Sequence, residues 1–150
     1  MWRDLRDRRT GSYYYRRWLL CQYKRKGDTL MGLDMYFYVE DKVTRERIEL
    51  AYYRKFNALH GYFDKKYKLD NPGQCEVTAD DLFYLLSAVK AIQSRPSDAP
   101  MRLPYYTGPF FGSYEYEAIY FDHISQLHKD LKRLILIDKG KYQILYLADY

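Results

Sequence analysis

The stretch Leu33-Asp34-Met35-Tyr36-Phe37-Tyr38-Val39-Glu40 decides how the rest of the chain is read. Leu33, Met35, Phe37 and Val39 alternate with Asp34, Tyr36, Tyr38 and Glu40. A period of two is what a half-buried strand needs, because successive side chains leave opposite faces. After the polar link 41–46, Ile48, Leu50 and Tyr52 alternate with Arg47, Glu49 and Ala51, so residues 33–53 read as a hairpin.

Downstream the period changes. A helix is predicted from about Arg54 to Lys66, with Phe56, Leu59 and Phe63 on one face. Asn71-Pro72-Gly73 reads as a turn and residues 74–77 as a short strand. Thr78, with Asp81 three residues on, has the pattern of a helix N-cap with an acid at its third position. Leu82, Leu85, Leu86, Val89 and Ile92 form the stripe of that helix, which ends before Pro96. Residues 95–112 carry Pro96, Pro100, Pro104 and Pro109 and are the least regular part, yet Tyr105–Ser113 is aromatic enough to be an ordered loop over the domain. Ser113 is predicted to cap the longest helix, about Tyr114 to Ile137, whose stripe is Tyr116, Tyr120, Ile124, Leu127, Leu131 and Leu134. Tyr142–Tyr150 reads as a final strand. The expected fold is α+β: an N-terminal β-hairpin, three helices and a C-terminal strand, forming a small antiparallel sheet packed on helices.

At 150 residues the chain supports one core. Hydrophobic residues at 47% and charged residues at 30% are ordinary for a globular protein, but 19 tyrosines are not. A tyrosine ring is apolar with a polar tip, which suits half-buried positions in sheets, pockets and interfaces. Cys21 and Cys75 stand far apart and outside any Cys-x-x-Cys pair, which argues against a disulfide framework or a cysteine zinc site and fits a reducing cytosol. No apolar run approaches the roughly 20 residues that cross a bilayer, and the N-terminus lacks the apolar core of a signal peptide. A cytoplasmic protein without a membrane partner is expected.

The net charge of +5 is unevenly placed. Residues 1–30 hold nine Lys/Arg against three acids, a charge of +6, which leaves sixteen bases and seventeen acids, or −1, for residues 31–150. The chain therefore divides into a basic leader, 1–30, and a near-neutral domain, 31–150. Lys26-Gly27-Asp28 can be encoded by the purine-rich core of a bacterial ribosome-binding site, with Thr29 and Leu30 as spacer before Met31. On that reading the leader is an upstream extension of a gene that starts at Met31. The competing reading is a translated basic arm, in which Arg8, Arg9, Arg16, Arg17, Lys24, Arg25 and Lys26, interleaved with Trp2, Trp18 and Tyr13–Tyr15, bind single-stranded nucleic acid by charge and stacking. A third is a short helix near Tyr13–Tyr23 packed on the domain by its Trp and Leu side chains.

Within the domain, Arg54, Lys55, Asn57 and His60 are the first place where hydrogen-bonding residue types gather, and they form one candidate wall of a ligand site. His60 has the pKa range of a general base, but no acid at fixed spacing orients it. Gly112 and Ser113, entering a helix, would present free backbone N–H groups to an anion, and with Tyr116 they make the opposite wall. Plain N-capping explains Gly112-Ser113 as well. His123 and His128, five residues apart, lie about 140° apart on a helix and cannot share a metal ion unaided. Ser113 lacks the second glycine of a nucleophile elbow and Cys75 has no adjacent base, so neither supports an enzyme. No cofactor is expected.

Residues 31–150 resemble a family of small phage and prophage proteins. The resemblance rests on Met31-Gly32-Leu33-Asp34-Met35-Tyr36, on Tyr53-Arg54-Lys55-Phe56-Asn57-Ala58-Leu59-His60, and on Phe110-Phe111-Gly112-Ser113 followed by Glu115-Tyr116 and Tyr120. It covers the domain and omits the leader. Small phage proteins without enzymatic motifs are often inhibitors of host machinery, so the resemblance implies a non-catalytic binding protein of a phage or mobile element, acting on a host protein such as an anti-CRISPR or other anti-defence target in the bacterial cytoplasm. The alternative is a protein or enzyme that binds or sequesters a phosphorylated small ligand or nucleotide between the two walls. Nucleic acid is a partner only if the leader is translated.

Overall fold

A computed structural model of the chain describes residues 32–150. The basic-arm residues Arg8, Arg9, Arg16, Arg17, Lys24, Arg25 and Lys26, and the proposed start at Met31, lie outside the described residues.

The two alternating stretches form a hairpin of β1 (Asp34–Asp41) and β2 (Arg47–Arg54), with Tyr36 opposite Tyr52 and a register shift between Phe37 and Tyr38. Asp41 shapes the link by accepting the Val43 and Thr44 N–H groups at 2.8 and 3.0 Å, the local bond by which aspartate favours turns. β4 (Tyr142–Asp149) pairs with the other side of β1, and the short β3 (Gly73–Glu76) pairs with β4. The sheet order is β2-β1-β4-β3, antiparallel throughout.

One face of the sheet is covered by α1 (Asn57–Tyr67), α2 (Ala79–Ser94) and α4 (Ala118–Ile135). Met35, Phe37, Tyr53 and Tyr146 meet Phe63, Leu85, Val89, Leu127 and Leu131 in this core. The Phe63 ring stacks on Tyr146 with centroids 4.1 Å apart. Side chains of this size stabilise the fold by roughly 1.5–3 kcal/mol each on burial. The Tyr53 hydroxyl donates to the buried Asp130 carboxylate and so fixes α4 to β2. At the head of α2, Thr78 and Asp81 form a complete capping box: the Asp81 N–H donates to Thr78 Oγ1 at 3.2 Å, and the Thr78 N–H to Asp81 Oδ2 at 3.0 Å.

The expected α+β sheet is present, with four differences from the sequence reading. The irregular stretch contains a 3-10 turn (Pro96–Asp98) and a short α3 (Ala99–Arg102), so the described residues hold four α-helices where three were expected. The first helix starts at Asn57 rather than near Arg54: β2 runs through Arg54, and Lys55 takes a left-handed turn at φ 57° that breaks strand from helix. The longest helix starts at Ala118, and Ser113 is not its cap. Residues 113–117 are instead spent on the preceding loop, where the Ser113 hydroxyl accepts the Glu115 N–H at 3.1 Å and the Tyr114 hydroxyl donates to the Gly108 carbonyl at 2.9 Å. Finally, β1 is buried on both faces. Tyr36 (2% exposed) and Tyr38 (1%) join Leu145 and Leu147 in a second cluster, whose members among the described residues all lie on strands.

Candidate functional site

The two walls expected from sequence do meet, and Asn57 joins them. Its amide nitrogen donates to the Phe111 and Ser113 carbonyls at 3.1 and 2.8 Å, and its carbonyl oxygen accepts the Tyr106 N–H at 2.9 Å. One buried side chain at the start of α1 thus holds both ends of the aromatic loop 106–113. Gly112 completes the closure. It sits at φ +94°, a conformation glycine adopts without a Cβ penalty, and a Cβ there would lie 2.9 Å from Lys55 Cβ.

The space this closeness leaves between the walls is small. The depression bounded by Lys55, Asn57, Ser113, Tyr120 and His123 has a volume of about 20 Å³, enough for one water. Arg54 turns away to Asp34, which it meets at 2.9 Å and which also accepts the Tyr52 hydroxyl at 2.6 Å. The Tyr116 hydroxyl accepts the Tyr105 N–H at 3.3 Å. Because Ser113 precedes α4 by five residues, Gly112-Ser113 presents no helix N-terminus to an anion. Lys55, Asn57, Gly112 and Ser113 therefore converge as a clasp at the ends of the loop, Tyr116 bonds the chain just before it, and Arg54 points away from both.

His60 is sealed inside that clasp at 1% exposure. Its Nδ1 lies 2.9 Å from the Tyr146 hydroxyl, while Nε2 has no hydrogen-bond partner among the described residues. The rings of Tyr106, Phe111, Tyr146 and Tyr150 surround it with centroids 5.5–6.2 Å away. Burial pushes its pKa down to about 4, against a smaller upward pull from Asp64. At neutral pH the imidazole is uncharged and enclosed by aromatic rings, a packing histidine rather than an exchanging base. Cys75 is similarly quiet, since burial and then the Asp81 carboxylate raise its thiol to about 12.

Open space lies on the other side of α1. A groove of about 410 Å³ runs between α1, α2 and α3, lined by Tyr62, Lys65, Lys66, Tyr84, Met101 and Arg102 over a floor of Ala58, Gly61, Leu103 and Pro104. Tyr62 and Tyr84 stack across it with centroids 5.1 Å apart at 14°. Gly61, having no side chain, lets Tyr106 pack closely on α1: a Cβ there would lie 2.6 Å from Tyr106 Cβ. Among the described residues, three cations and no acid line the groove.

Beneath it, the fully buried Asp81 anchors three of the surrounding groups. It accepts the Tyr62 hydroxyl at 2.7 Å, Lys66 Nζ at 2.5 Å and the Tyr67 hydroxyl. Burial alone would raise the Asp81 carboxyl. The bonds from Lys66, Tyr67, the Thr78 N–H and Tyr62 outweigh it and hold the group at about 2. Lys66 is thereby neutralised, whereas Lys65 and Arg102 form no ion pair among the described residues. The apolar rim is equally unsatisfied: Met101 is 74% exposed, and Phe83, next in the chain to Tyr84, is 60% exposed.

Sequence reading missed Lys65, Lys66, Tyr84 and Arg102. The one available signal was Phe83-Tyr84, two aromatics on the outward side of an otherwise clean amphipathic helix. Among the described residues no three His, Cys, Asp or Glu side chains converge as a metal-binding group, and no helix is long and apolar enough to cross a membrane. Comparison of the chain with protein-family models, curated proteins and solved structures finds no match, so the functional reading rests on the groove itself.

Proposed function

We propose that this chain is a non-catalytic binding protein that captures an acidic segment of another protein in the groove between Tyr62 and Tyr84. The observation that carries the reading is the lining itself: among the described residues, two stacked tyrosines, an exposed methionine and three cations with no acid. Tyrosine, methionine and arginine are enriched in the cores of protein interfaces, where large rings add contact area at little entropic cost. Lys65 and Arg102 complement carboxylates, and the exposed Phe83 and Met101 extend the apolar surface beyond what a small ligand would cover. With the phage resemblance, the partner is a host protein, and the activity is inhibition of host machinery such as a defence complex.

The same lining supports a second reading, since a groove of this volume falls in the range of small-ligand sites and stacked tyrosines beside cations suit a nucleotide. Fluorescence anisotropy with the full chain separates the two. Labelled peptides rich in Glu and Tyr, their Lys-substituted counterparts and a labelled adenine nucleotide are titrated against wild type, Tyr84→Ala and Arg102→Glu. The expected result is binding of the acidic peptide alone, weakened roughly tenfold or more by either substitution. Binding of the nucleotide alone replaces the first reading with the second. If neither binds, or the variants bind as wild type does, the groove is not the site.

A further inference from the structure

We propose, resting on that reading of the groove, that one of its partners is a second copy of this chain, whose surface segment Tyr114–Glu117 docks over Tyr62 and Tyr84 so that copies join head to tail.

The two surfaces complement each other in charge and in apolar character. Residues 110–119 carry Glu115 and Glu117 and no Lys or Arg, and Phe110, Tyr114 and Ile119 stand exposed around those acids. The groove offers the converse. Asp81 engages Lys66, which leaves Lys65 and Arg102 to meet two carboxylates, while Met101 and Phe83 supply an exposed apolar rim. A hydrogen bond to Glu115 and repulsion from its charge raise the Glu117 carboxyl, so this pair of acids gains from the approach of cations. A segment alternating tyrosine with glutamate is the kind of chain that the stacked tyrosines and cations of the groove suit.

The segment cannot fill the groove of its own chain. The Ser113 carbonyl accepts the Asn57 amide at 2.8 Å, the Tyr114 hydroxyl donates to the Gly108 carbonyl at 2.9 Å, and the Tyr116 hydroxyl accepts the Tyr105 N–H at 3.3 Å. Held in this way, none of residues 110–119 is among the described residues that line the groove. Only another copy can accept it. Segment and groove are different patches of one molecule, so the contact is heterologous and repeats from copy to copy, closing as a ring or growing as a filament.

The lengths also agree. Along α1 the groove runs from Ala58 to Lys66, about 12 Å at about 1.5 Å per residue. Tyr114 to Glu117 spans at most about 14 Å of non-helical chain. Self-association and capture of a foreign partner then exclude each other, and the balance between them follows the concentration of this chain.

Sedimentation equilibrium of the full chain reads mass against concentration. The expected mass rises from that of a monomer toward larger species, and association weakens roughly tenfold or more near 1 M salt, where charges are screened beyond about 3 Å. Glu115→Lys with Glu117→Lys in one chain, and Lys65→Glu with Arg102→Glu in another, should each give a monomer. Mixed in equal amounts, the two variants should form a dimer and nothing larger, because one intact segment meets one intact groove. A free peptide of residues 110–119 should return wild-type assemblies to monomer, a readout that holds even where a variant does not fold. A wild type that is monomeric at every concentration overturns the inference, as does association that survives either pair of substitutions or the peptide. Should the wild type stay monomeric yet bind a labelled acidic peptide, self-association falls and the reading of the groove stands. With neither association nor peptide binding, both fall.

Discussion

Replacing Asp81 by asparagine tests whether the groove is held from beneath. The side chain keeps its shape and one acceptor oxygen but loses its charge, and its new N–H₂ group faces donors already supplied by Lys66, Tyr67 and Tyr62. The magnitude follows from the carboxyl's displacement. Held at about 2 against an ordinary 3.8, at about 1.4 kcal/mol per pH unit, it contributes about 2.5 kcal/mol near neutral pH. Its folded pKa is lower than its unfolded one, so this contribution is present above about pH 4 and fades as pH falls toward 2. Urea unfolding at neutral pH should therefore show Asp81→Asn less stable by about 2–3 kcal/mol, a midpoint roughly 1–2 M lower for a domain of this size. Between about pH 4 and 2 the wild type should lose this advantage while the variant, having no carboxyl there, shows a shallower fall. Groove binding should weaken in parallel, because Tyr62 and Lys66 lose their anchor. A variant within about 0.5 kcal/mol of wild type and with the same acid profile would refute the account.

Asn57→Ala removes three bonds that span the clasp, and a loss of about 2–4 kcal/mol is expected, with faster amide hydrogen exchange confined to residues 105–113. Unchanged exchange in that loop would show that Asn57 does not hold it. His60, held near 4 by burial, stays neutral in the folded chain while the unfolded chain takes up a proton below about 6.5. Stability should therefore fall by about 3 kcal/mol as pH drops from about 6.5 to 4, and His60→Phe should flatten that interval in urea titrations. An imidazole NMR signal that titrates near 6.5 would count against a sealed histidine. Gly112→Ala should destabilise by about 2–4 kcal/mol, since the new methyl meets Lys55 Cβ at 2.9 Å in a backbone conformation unfavourable to alanine, and thermal unfolding measures it.

The legible parts of the chain are those in which local pattern and tertiary demand coincide. Alternation from Leu33 to Tyr53 specified a hairpin because one face of it does meet a core, and Thr78 with Asp81 announced the start of α2 because capping is a local bond. Ser113 misled for a physical reason. A serine before a polar turn is as good a cap as any, but Tyr114 and Tyr116 gain more by bonding the loop than by entering a helix. The left-handed turn at Lys55 could not be read, since no glycine or asparagine marks it. A half-buried strand was expected at β1, and Tyr36 and Tyr38 are buried on its other face as well, since tyrosine fits both environments. The candidate wall residues were found, but the close approach of the loop at Gly112 to Lys55 was not. The groove escaped altogether, since its lining comes from separate stretches, 58–66, residue 84 and 101–104, that only the packed helices bring together.

The adjacency of β1 and β4 governs how the protein reaches its native state. Glu40 and Gln143, neighbours across the middle of the sheet, are 103 residues apart along the chain. The β1–β2 hairpin can form early, yet it then displays the unpaired edge of a strand that is apolar on both sides. Closing so long a loop before that edge is satisfied makes assembly slow and leaves the half-built sheet vulnerable to pairing with its own copies. Refolding yield should consequently fall as protein concentration rises, even where the finished domain is stable.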